Sequence, residues 1–478
     1  MAKTKQKAYK KGAAIRLPIS KHIDVNFRDY ALYVLNNRGI PSFYDGLTNV
    51  QKFILQNSPQ QYGKTVAVVG NCISAGYHHG DKSLAGAINK LARPFGCANQ
   101  MLEGDGFFGT PINHEAAAAR YTSVRISSNV AKIIKENAFL NTRDEDGQWD
   151  PLWLRVPIGL STTIIGIAVG YKTTVLPRSI EDMEKYLAGE SKEVKPSFIG
   201  FNGSVKRFNG MDRSWLIEGD IQINQRAKTV RVTSLPPMMK YSKFLGKLEN
   251  LLDRYNIGIL NDSSDNIDIL LTFRGRSRDE FELFAKTVTN YTKMIVTETP
   301  VFVKDGTVLV YDKIEDYLDD FQYRMAQLKL KRTEHFHNVT SSELDFQRAK
   351  KLYLEFMLKE KRNEKAIETF LGTFSKSISG RLDAIRLRFL SEEEIKRTIA
   401  EISRLEKELK KLVRELNKLT TAFNKLIDPT IARGTTNRRS SSADLFDDSD
   451  FDEVDGIEVY GEKTEEEETE DETEEHQY

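Results

Sequence analysis

Residues 395–426 read IKRTIAEISRLEKELKKLVRELNKLTTAFNKL. Their apolar positions Ile395, Ile399, Ile402, Leu405, Leu409, Leu412, Leu416, Leu419, Phe423 and Leu426 follow spacings of 4, 3, 3, 4, 3, 4, 3, 4 and 3. A spacing near 3.5 keeps such residues in one seam along a long helix, with Lys, Arg and Glu on the other faces. Pro429 ends the pattern. An earlier stretch, Ile314, Leu318, Phe321, Met325 and Leu328, has similar spacing and supplies an antiparallel partner. The pair predicts two long arms closed at their far end by residues 365–392. An ordinary amphipathic helix pair in a bundle has the same periodicity.

Past Pro429 the composition turns to Ser, Asp, Glu and Thr, which predicts a disordered tail. Of the chain's 70 Lys+Arg and 69 Asp+Glu, one Lys and 18 acidic residues fall in 441–478. The tail therefore carries −17 and the first 440 residues +18, although the whole chain is +1. A basic body points to a polyanion partner that an acidic tail competes with, or the tail only confers solubility. The opening residues hold Lys3, Lys5, Lys7, Lys10, Lys11 and Arg16 with little to bury, and read as a disordered basic arm.

Helical patterns begin near Phe27 and alternate with Gly/Pro breaks to about Pro151. Beyond it, β-branched runs such as Thr229-Val-Arg-Val-Thr233 and Ile267-Asp-Ile-Leu-Leu-Thr272, interrupted by a helical pattern over 240–255, give a mixed α/β region to about Tyr311. No apolar run reaches the roughly 18–20 residues that span a bilayer. Two cysteines, Cys72 and Cys97, make no disulfide framework. The expectation is a cytoplasmic protein with no membrane partner.

Several motifs resemble chemistry they do not support. Gly104-Asp-Gly-Phe-Phe-Gly109 matches a dinucleotide fingerprint, but Gly96-Cys-Ala-Asn-Gln precedes it and Thr110-Pro111 follows, where a strand and a helix are required. Gly63-Lys-Thr65 resembles the end of a P-loop whose upstream glycine is replaced by Ser58. His78 and His79 are adjacent, a poor metal spacing. Asp144-Glu-Asp146, and Asp262 with Asp265, read as solvated turns. The reading is thus no metal site and no ATP site in this chain.

Three segments stand in a telling order: Tyr77-His-His-Gly-Asp81, Leu102-Glu-Gly-Asp-Gly-Phe-Phe-Gly109 and Glu115-Ala-Ala-Ala-Ala-Arg-Tyr-Thr-Ser-Val-Arg125. The order resembles the breakage–reunion core of type II DNA topoisomerases. In gyrase A and topoisomerase IV C subunits it reads Tyr-His-Pro-His-Gly-Asp, Asp-Gly-Gln-Gly-Asn-Phe-Gly-Ser and Ala-Ala-Met-Arg-Tyr-Thr-Glu. Asn37-Arg-Gly-Ile-Pro41, Asp45-Gly-Leu-Thr-Asn-Val-Gln-Lys52 and Gly166-Ile-Ala-Val-Gly170 resemble further family motifs, so the likeness covers roughly 25–430. The short form is most similar to the medium subunits of T-even-like phage topoisomerases.

The chemistry of Tyr121 agrees with this. A tyrosine phenol, with a pKa near 10, is a poor nucleophile at neutral pH unless its anion is stabilised. Arg120 beside it can place a guanidinium on a phosphate, and the Ala116–Ala119 run favours helix and lets a DNA backbone approach. The resemblance implies that Tyr121 forms a 5′-phosphotyrosine and that Arg38 clamps phosphate. It implies that His79 assists proton transfer, an imidazole titrating near 6.5, while His78, Lys52 and Lys82 lie on the DNA path. Ile167 is implied to wedge between base steps. Thr48, Phe107 and Ser123 depart from the family's Lys, Asn and Glu; Lys82 and Gly86 replace Ser and an acidic residue, which implies weak quinolone inhibition.

The resemblance implies a multidomain α+β fold. Residues 1–24 are the basic arm. Residues 25–150 form a winged-helix (helix-turn-helix) cleavage head, 151–312 an α/β tower, 313–430 coiled-coil arms with a helical C-gate, and 431–478 the acidic tail. It implies double-stranded DNA as partner and a homodimer through the arms. ATP and Mg²⁺ would be bound by a GHKL ATPase/TOPRIM large subunit, in a bacterial or phage-infected host cytoplasm. With no repeated β-blades, relaxation or decatenation is expected rather than supercoil introduction. The rival is a non-enzymatic helix-turn-helix and coiled-coil DNA-binding protein.

Overall fold

A computed structural model describes residues 19–35, 39–143, 150–252, 254–359, 364–385, 391–427 and 458–460. Arg38, Asp144-Glu-Asp146 and Pro429, and most of the basic arm and acidic tail, lie outside the described residues.

The chain enters through α1 (Ile19–Lys21), a π-helical segment (His22–Phe27) and α2 (Arg28–Val34), a helix start earlier than the pattern near Phe27 predicts. The head follows, with α3 (Asn49–Asn57), β1 (Gly63–Lys64), α4 (Thr65–Ser74), α5 (Asp81–Ala92), β2 (Leu102–Asp105), β3 (Ser123–Ile126) and α6 (Ser128–Glu136). The three strands form one antiparallel sheet in the order β1-β3-β2. Strands of two to four residues carry no period that would separate them from loops in the sequence. Thr48, one of the departures, caps α3: Gln51 N–H donates to its Oγ1 and Gln51 Oε1 accepts from Thr48 N–H, a reciprocal box that satisfies two end donors.

Next come the hairpin β4 (Ile164–Ala168) with β5 (Tyr171–Val175), and α7 (Ile180–Leu187). The middle region holds β6 (Ser204–Arg207), β7 (Ser214–Glu218), β8 (Ile221–Asn224), β9 (Thr229–Val232), α8 (Tyr241–Leu252), β10 (Ile257–Asn261), β11 (Ile269–Phe273), α9 (Arg278–Tyr291) and β12 (Lys293–Thr297). It is mixed, as expected, and these strands pair antiparallel, in the orders β10-β11-β9-β8 and β12-β7-β6. The hairpin β13 (Val301–Lys304) and β14 (Thr307–Val310) leads into α10 (Ile314–Lys359), a helix of 46 residues. Then come α11 (Glu364–Leu371), α12 (Lys376–Asp383) and α13 (Glu392–Ile427). In the tail, β15 (Glu458–Tyr460) pairs parallel with β12, Val459 opposite Ile295. The edge of β12 offers backbone groups that these three tail residues pair with.

Two main cores result. The first is drawn from both sides of residues 150 and 312: Leu47, Ile54, Leu84, Val124, Ile133, Leu152, Met183, Phe302, Tyr317 and Phe321 all belong to it. Tyr317 stacks on Phe302 at 4.0 Å between centroids and donates to Phe43 O, so the root of α10 is part of the head. The second lies in the middle region, around Trp215, Phe244, Ile269, Phe281 and Val296. Between them sits a buried ion pair. Arg178 is bidentate to Glu298, Trp215 Nε1 donates to Glu298 Oε2 at 2.8 Å, and Arg178 also reaches the carbonyls of Leu176 and Val194. With its partners satisfied the pair can be tolerated without water; removing either member would cost roughly 3–5 kcal/mol.

α10 and α13 run antiparallel, held by Arg348–Glu406 at 2.7 Å, Lys350–Glu394 at 2.7 Å and Tyr323 against Phe423 at 5.1 Å. Over residues 395–423 the seam differs from the predicted one in one residue, and the Leu426 side chain lies outside the described residues. Thr398 is 2% exposed and Ile399 is 45% exposed. Ile395, Thr398, Ile402, Leu405, Leu409, Leu412, Leu416, Leu419 and Phe423 face the partner helix at strictly alternating spacings of 3 and 4. A threonine fits because its hydroxyl donates to Glu394 O of its own helix at 2.8 Å, leaving its methyl for the seam. The far end is closed by Phe346, Tyr353, Leu382, Phe370 and Phe374, as the sequence leads one to expect.

Candidate functional site

Tyr121 lies on a turn that several backbone bonds fix. β3 pairs with β2 and β1, and Ser123 is opposite both Asp105 and Lys64. Tyr121 N–H donates to Ala118 O at 2.8 Å, closing the turn. The first two N–H groups of α4 then reach back to it: Thr65 N–H to Thr122 O at 3.0 Å and Val66 N–H to Ala119 O at 3.2 Å. Thr65 Oγ1 and Thr122 Oγ1 are 2.8 Å apart and wholly buried. The tyrosine itself is 66% exposed, with the Arg120 guanidinium 4.7 Å from its ring centre. A buried scaffold thus carries a tyrosine into solvent with a cation against its face. The Ala116–Ala119 run is not helical, contrary to its propensity. Ala117 N–H is taken by Phe107 O at 3.0 Å, and tertiary hydrogen bonds of this kind override a helix preference.

The glycine-rich segment 104–109 supports this turn. A side chain on Gly104 would lie 2.4 Å from the Phe108 ring, and Gly106 has φ +105° with Tyr121 O close by. β2 leads into this segment, but no helix follows it, which disposes of the dinucleotide reading. The P-loop reading fails as well, since the hydroxyl of Thr65 is engaged by Thr122. Past Gly109 the loop packs away from the head sheet. Ile112 lies against the second core, and Arg93 Nη2 donates to His114 O at 3.4 Å. Burial, with Arg93 nearby, holds the His114 imidazole below its ordinary range.

The other predicted residues lie elsewhere. His78 and His79 follow the C-terminal end of α4, His79 edge-on to the buried Tyr77 ring at 5.4 Å. Tyr121 lies past the N-terminal end of that helix, whose 10 residues span about 15 Å. Within one chain the histidines and the tyrosine are therefore apart. Lys82 is exposed in the first turn of α5 and Lys52 half-buried on α3. Ile167 is 66% exposed on β4, which is locked from behind. A side chain on Gly166 would stand 1.8 Å from Gly39 O, and one on Gly39 would stand 2.4 Å from Ile167 O. Arg38 lies outside the described residues.

Sequence reasoning overlooked Thr65 and Thr122, whose pairing across 57 positions has no local signal, and Ile165, exposed on the same face of β4 as Ile167. α4 also exposes Val66 and Ile73. Among the described residues no group of three His, Cys, Asp or Glu could hold a metal ion. Glu103, near the site, is engaged by Arg125 and Ser128, whose hydrogen bonds hold its carboxyl below the usual range. No helix among the described residues is long and apolar enough to cross a membrane.

Comparison with known proteins gives a consistent result. The sequence profile of the DNA gyrase/topoisomerase IV A subunits matches residues 38–429. The chain is 25% identical to the DNA topoisomerase medium subunit of Enterobacteria phage T4 over 322 residues, 63% of this chain and 72% of that protein. It is 23% identical to the DNA gyrase A subunit of Buchnera aphidicola subsp. Baizongia pistaciae (strain Bp), over 59% of this chain and 38% of that protein. For the DNA gyrase A subunit of Klebsiella oxytoca the identity is 28%, over 45% of this chain and 26% of that protein. The chain thus spans well under half of these gyrase subunits.

Proposed function

The chain belongs to the family of DNA gyrase and topoisomerase IV A subunits, and from that membership we propose that it is the DNA-cleaving subunit of a type II topoisomerase, with Tyr121 as nucleophile. The observation that carries this is the exposed Tyr121 on its buried, hydrogen-bonded turn with Arg120 against the ring. The Tyr121 oxygen attacks the scissile phosphorus. An O–P bond forms as the P–O3′ bond breaks. The phenol loses its proton to a base, and the departing 3′ oxygen takes one up, leaving a 5′-phosphotyrosine and a free 3′-hydroxyl. The reverse attack reseals the strand without net hydrolysis. Arg120, and Arg38 by resemblance, oppose charge on the phosphate.

His79 is the proposed base. Because α4 separates it from Tyr121 of its own chain, it serves a second copy, and each cleavage site is assembled from two chains. The apolar surface of α4, with Val66 beside the Tyr121 turn and Ile73 at the histidine end, supports such a contact, and the closed ends of the α10–α13 arms supply another. Residues 25–150 act as the winged-helix head, 151–312 as the tower and 313–430 as the dimerising arms. Mg²⁺ and ATP are assigned to a large partner subunit. Relaxation and decatenation are the proposed reactions, supported by the likeness to a relative named DNA topoisomerase medium subunit.

The test is trapping with the ATPase/metal-binding partner, Mg²⁺ and supercoiled plasmid, followed by detergent and protease. Linear DNA carrying a peptide at Tyr121 is expected. Tyr121→Phe should abolish the adduct while leaving DNA affinity within about twofold, its single lost hydroxyl being a minor contact. Tight binding without an adduct from the wild-type chain would instead establish the DNA-binding, non-enzymatic reading.

A further inference from the structure

β4 exposes two large aliphatic side chains where the wedge reading uses one. Ile165 is 49% exposed and Ile167 66%, while Ile164 and Gly166 between and beside them are buried. Residues i and i+2 of a strand project from the same face, about 7 Å apart. Lys172 is directly across from Ile167, so a cation borders this apolar pair. The hairpin is braced from behind. Gly166 and Gly39 meet backbone to backbone, Thr174 and Thr299 exchange two backbone hydrogen bonds, and Thr173 Oγ1 donates to Val301 O at 3.1 Å. Such mounting suits a part that must press on a stiff partner without yielding.

We propose that Ile165 is a second DNA-deforming residue, so that Ile165 and Ile167 form an apolar wedge two residues wide that enters the minor groove of the bent duplex. This rests on the reading of Ile167 as a wedge. Duplex DNA is the occupant the surface favours. The patch is only two side chains wide with a lysine beside it, too small and too charged for the apolar centre of a stable protein interface. The body that carries it is basic. A spacing of about 7 Å equals two base-pair rises of about 3.4 Å, so the two side chains cannot share a step. Ile167, the more exposed, parts one step, and Ile165 fills the groove beside it and holds it wide. Apolar side chains set between or against base steps in this way kink a duplex, and the cost depends on the sequence bent. Ile165 is therefore a specificity-determining residue that acts through deformability.

The experiment uses the complete enzyme, partner included, and a short duplex carrying a fluorescent donor and acceptor at its ends. Ile165→Ala, Ile167→Ala and the conservative Ile165→Leu are compared for bent fraction, covalent-adduct yield and cleavage positions on plasmid DNA. Both alanine variants are expected to lower the ratio of bent to straight duplex about five- to tenfold, which corresponds to about 1.0–1.4 kcal/mol. Ile165→Ala should also relax the preference for easily kinked steps, and Ile165→Leu should restore both. Wild-type bending and site choice in Ile165→Ala, with Ile167→Ala defective, would overturn the proposal and leave the wedge reading standing. If Ile167→Ala is also like wild type, the wedge reading itself falls. If Ile165→Ala instead separates the subunits in sedimentation with bending intact, the surface is a protein interface and the proposal is wrong.

Discussion

At the scale of single residues, the proposed nucleophile stands out in the sequence and its support does not. A tyrosine beside an arginine in a known order of motifs can be read from sequence. Thr65 was met only as the end of a defective P-loop, since a hydroxyl pair spanning two elements leaves no trace in local spacing. The structure gives it a different role. With Thr122 fully buried, Thr65→Val would leave one hydroxyl without a partner and destabilise the chain by about 1–3 kcal/mol. Because the same pair fixes the turn of Tyr121, adduct formation should fall more than DNA affinity, and Thr65→Ser should recover it. Urea melts alongside single-turnover cleavage check this. A variant as stable and as fast as wild type would deny the pair any such part.

At the scale of elements, the long arms were legible because a heptad repeats many times. The head sheet was not, because its strands are too short to repeat anything. Even in the arms, apolar character misplaced one position, choosing Ile399 over Thr398. Leu405→Ala in the seam should cost roughly 2–5 kcal/mol, whereas Ile399→Ala on the outer face should cost no more than about 0.5 kcal/mol. Thermal unfolding of the two variants separates them, and equal losses would return Ile399 to the seam. In the middle region, Glu218 joins β6, β7 and β12. Partial burial would raise its carboxyl, but hydrogen bonds from Lys206, Lys293 and Ser204 prevail and bring it down to about 2. A carboxyl lowered on folding stabilises above its unfolded value of about 4.3, and that stability is lost as the pH falls from there to about 2. Glu218→Gln should therefore flatten the dependence of melting temperature on pH across this acid range; an unchanged slope would refute it.

At the scale of the whole molecule, the order of regions was legible and their joints were not. The root of α10 and the segment around Met183 belong to the first core because aromatic and aliphatic residues distant in sequence meet there, which no window along the chain can register. The proposed pairing of two copies around each cleavage site makes a sharp prediction. Mixed dimers of a Tyr121→Phe chain with a His79→Ala chain contain one intact Tyr121–His79 pairing if the site is shared between chains, and none if each chain keeps its own. Nicking of a plasmid by the two variants, mixed in the presence of the ATPase partner, tells these apart. Single-strand adducts at near the per-site rate of wild type are expected, and adducts no more frequent than from His79→Ala alone would place the site within one chain.

The ten residues of α4 then act as a safety catch. On the proposed two-chain site, a newly made copy carries Tyr121 past one end of this helix and its proposed proton acceptor past the other. Strand breaking becomes second order in the protein, falling with the square of its concentration when copies are scarce. On that reading a stray single chain, however tightly it clings to DNA, leaves the strand whole.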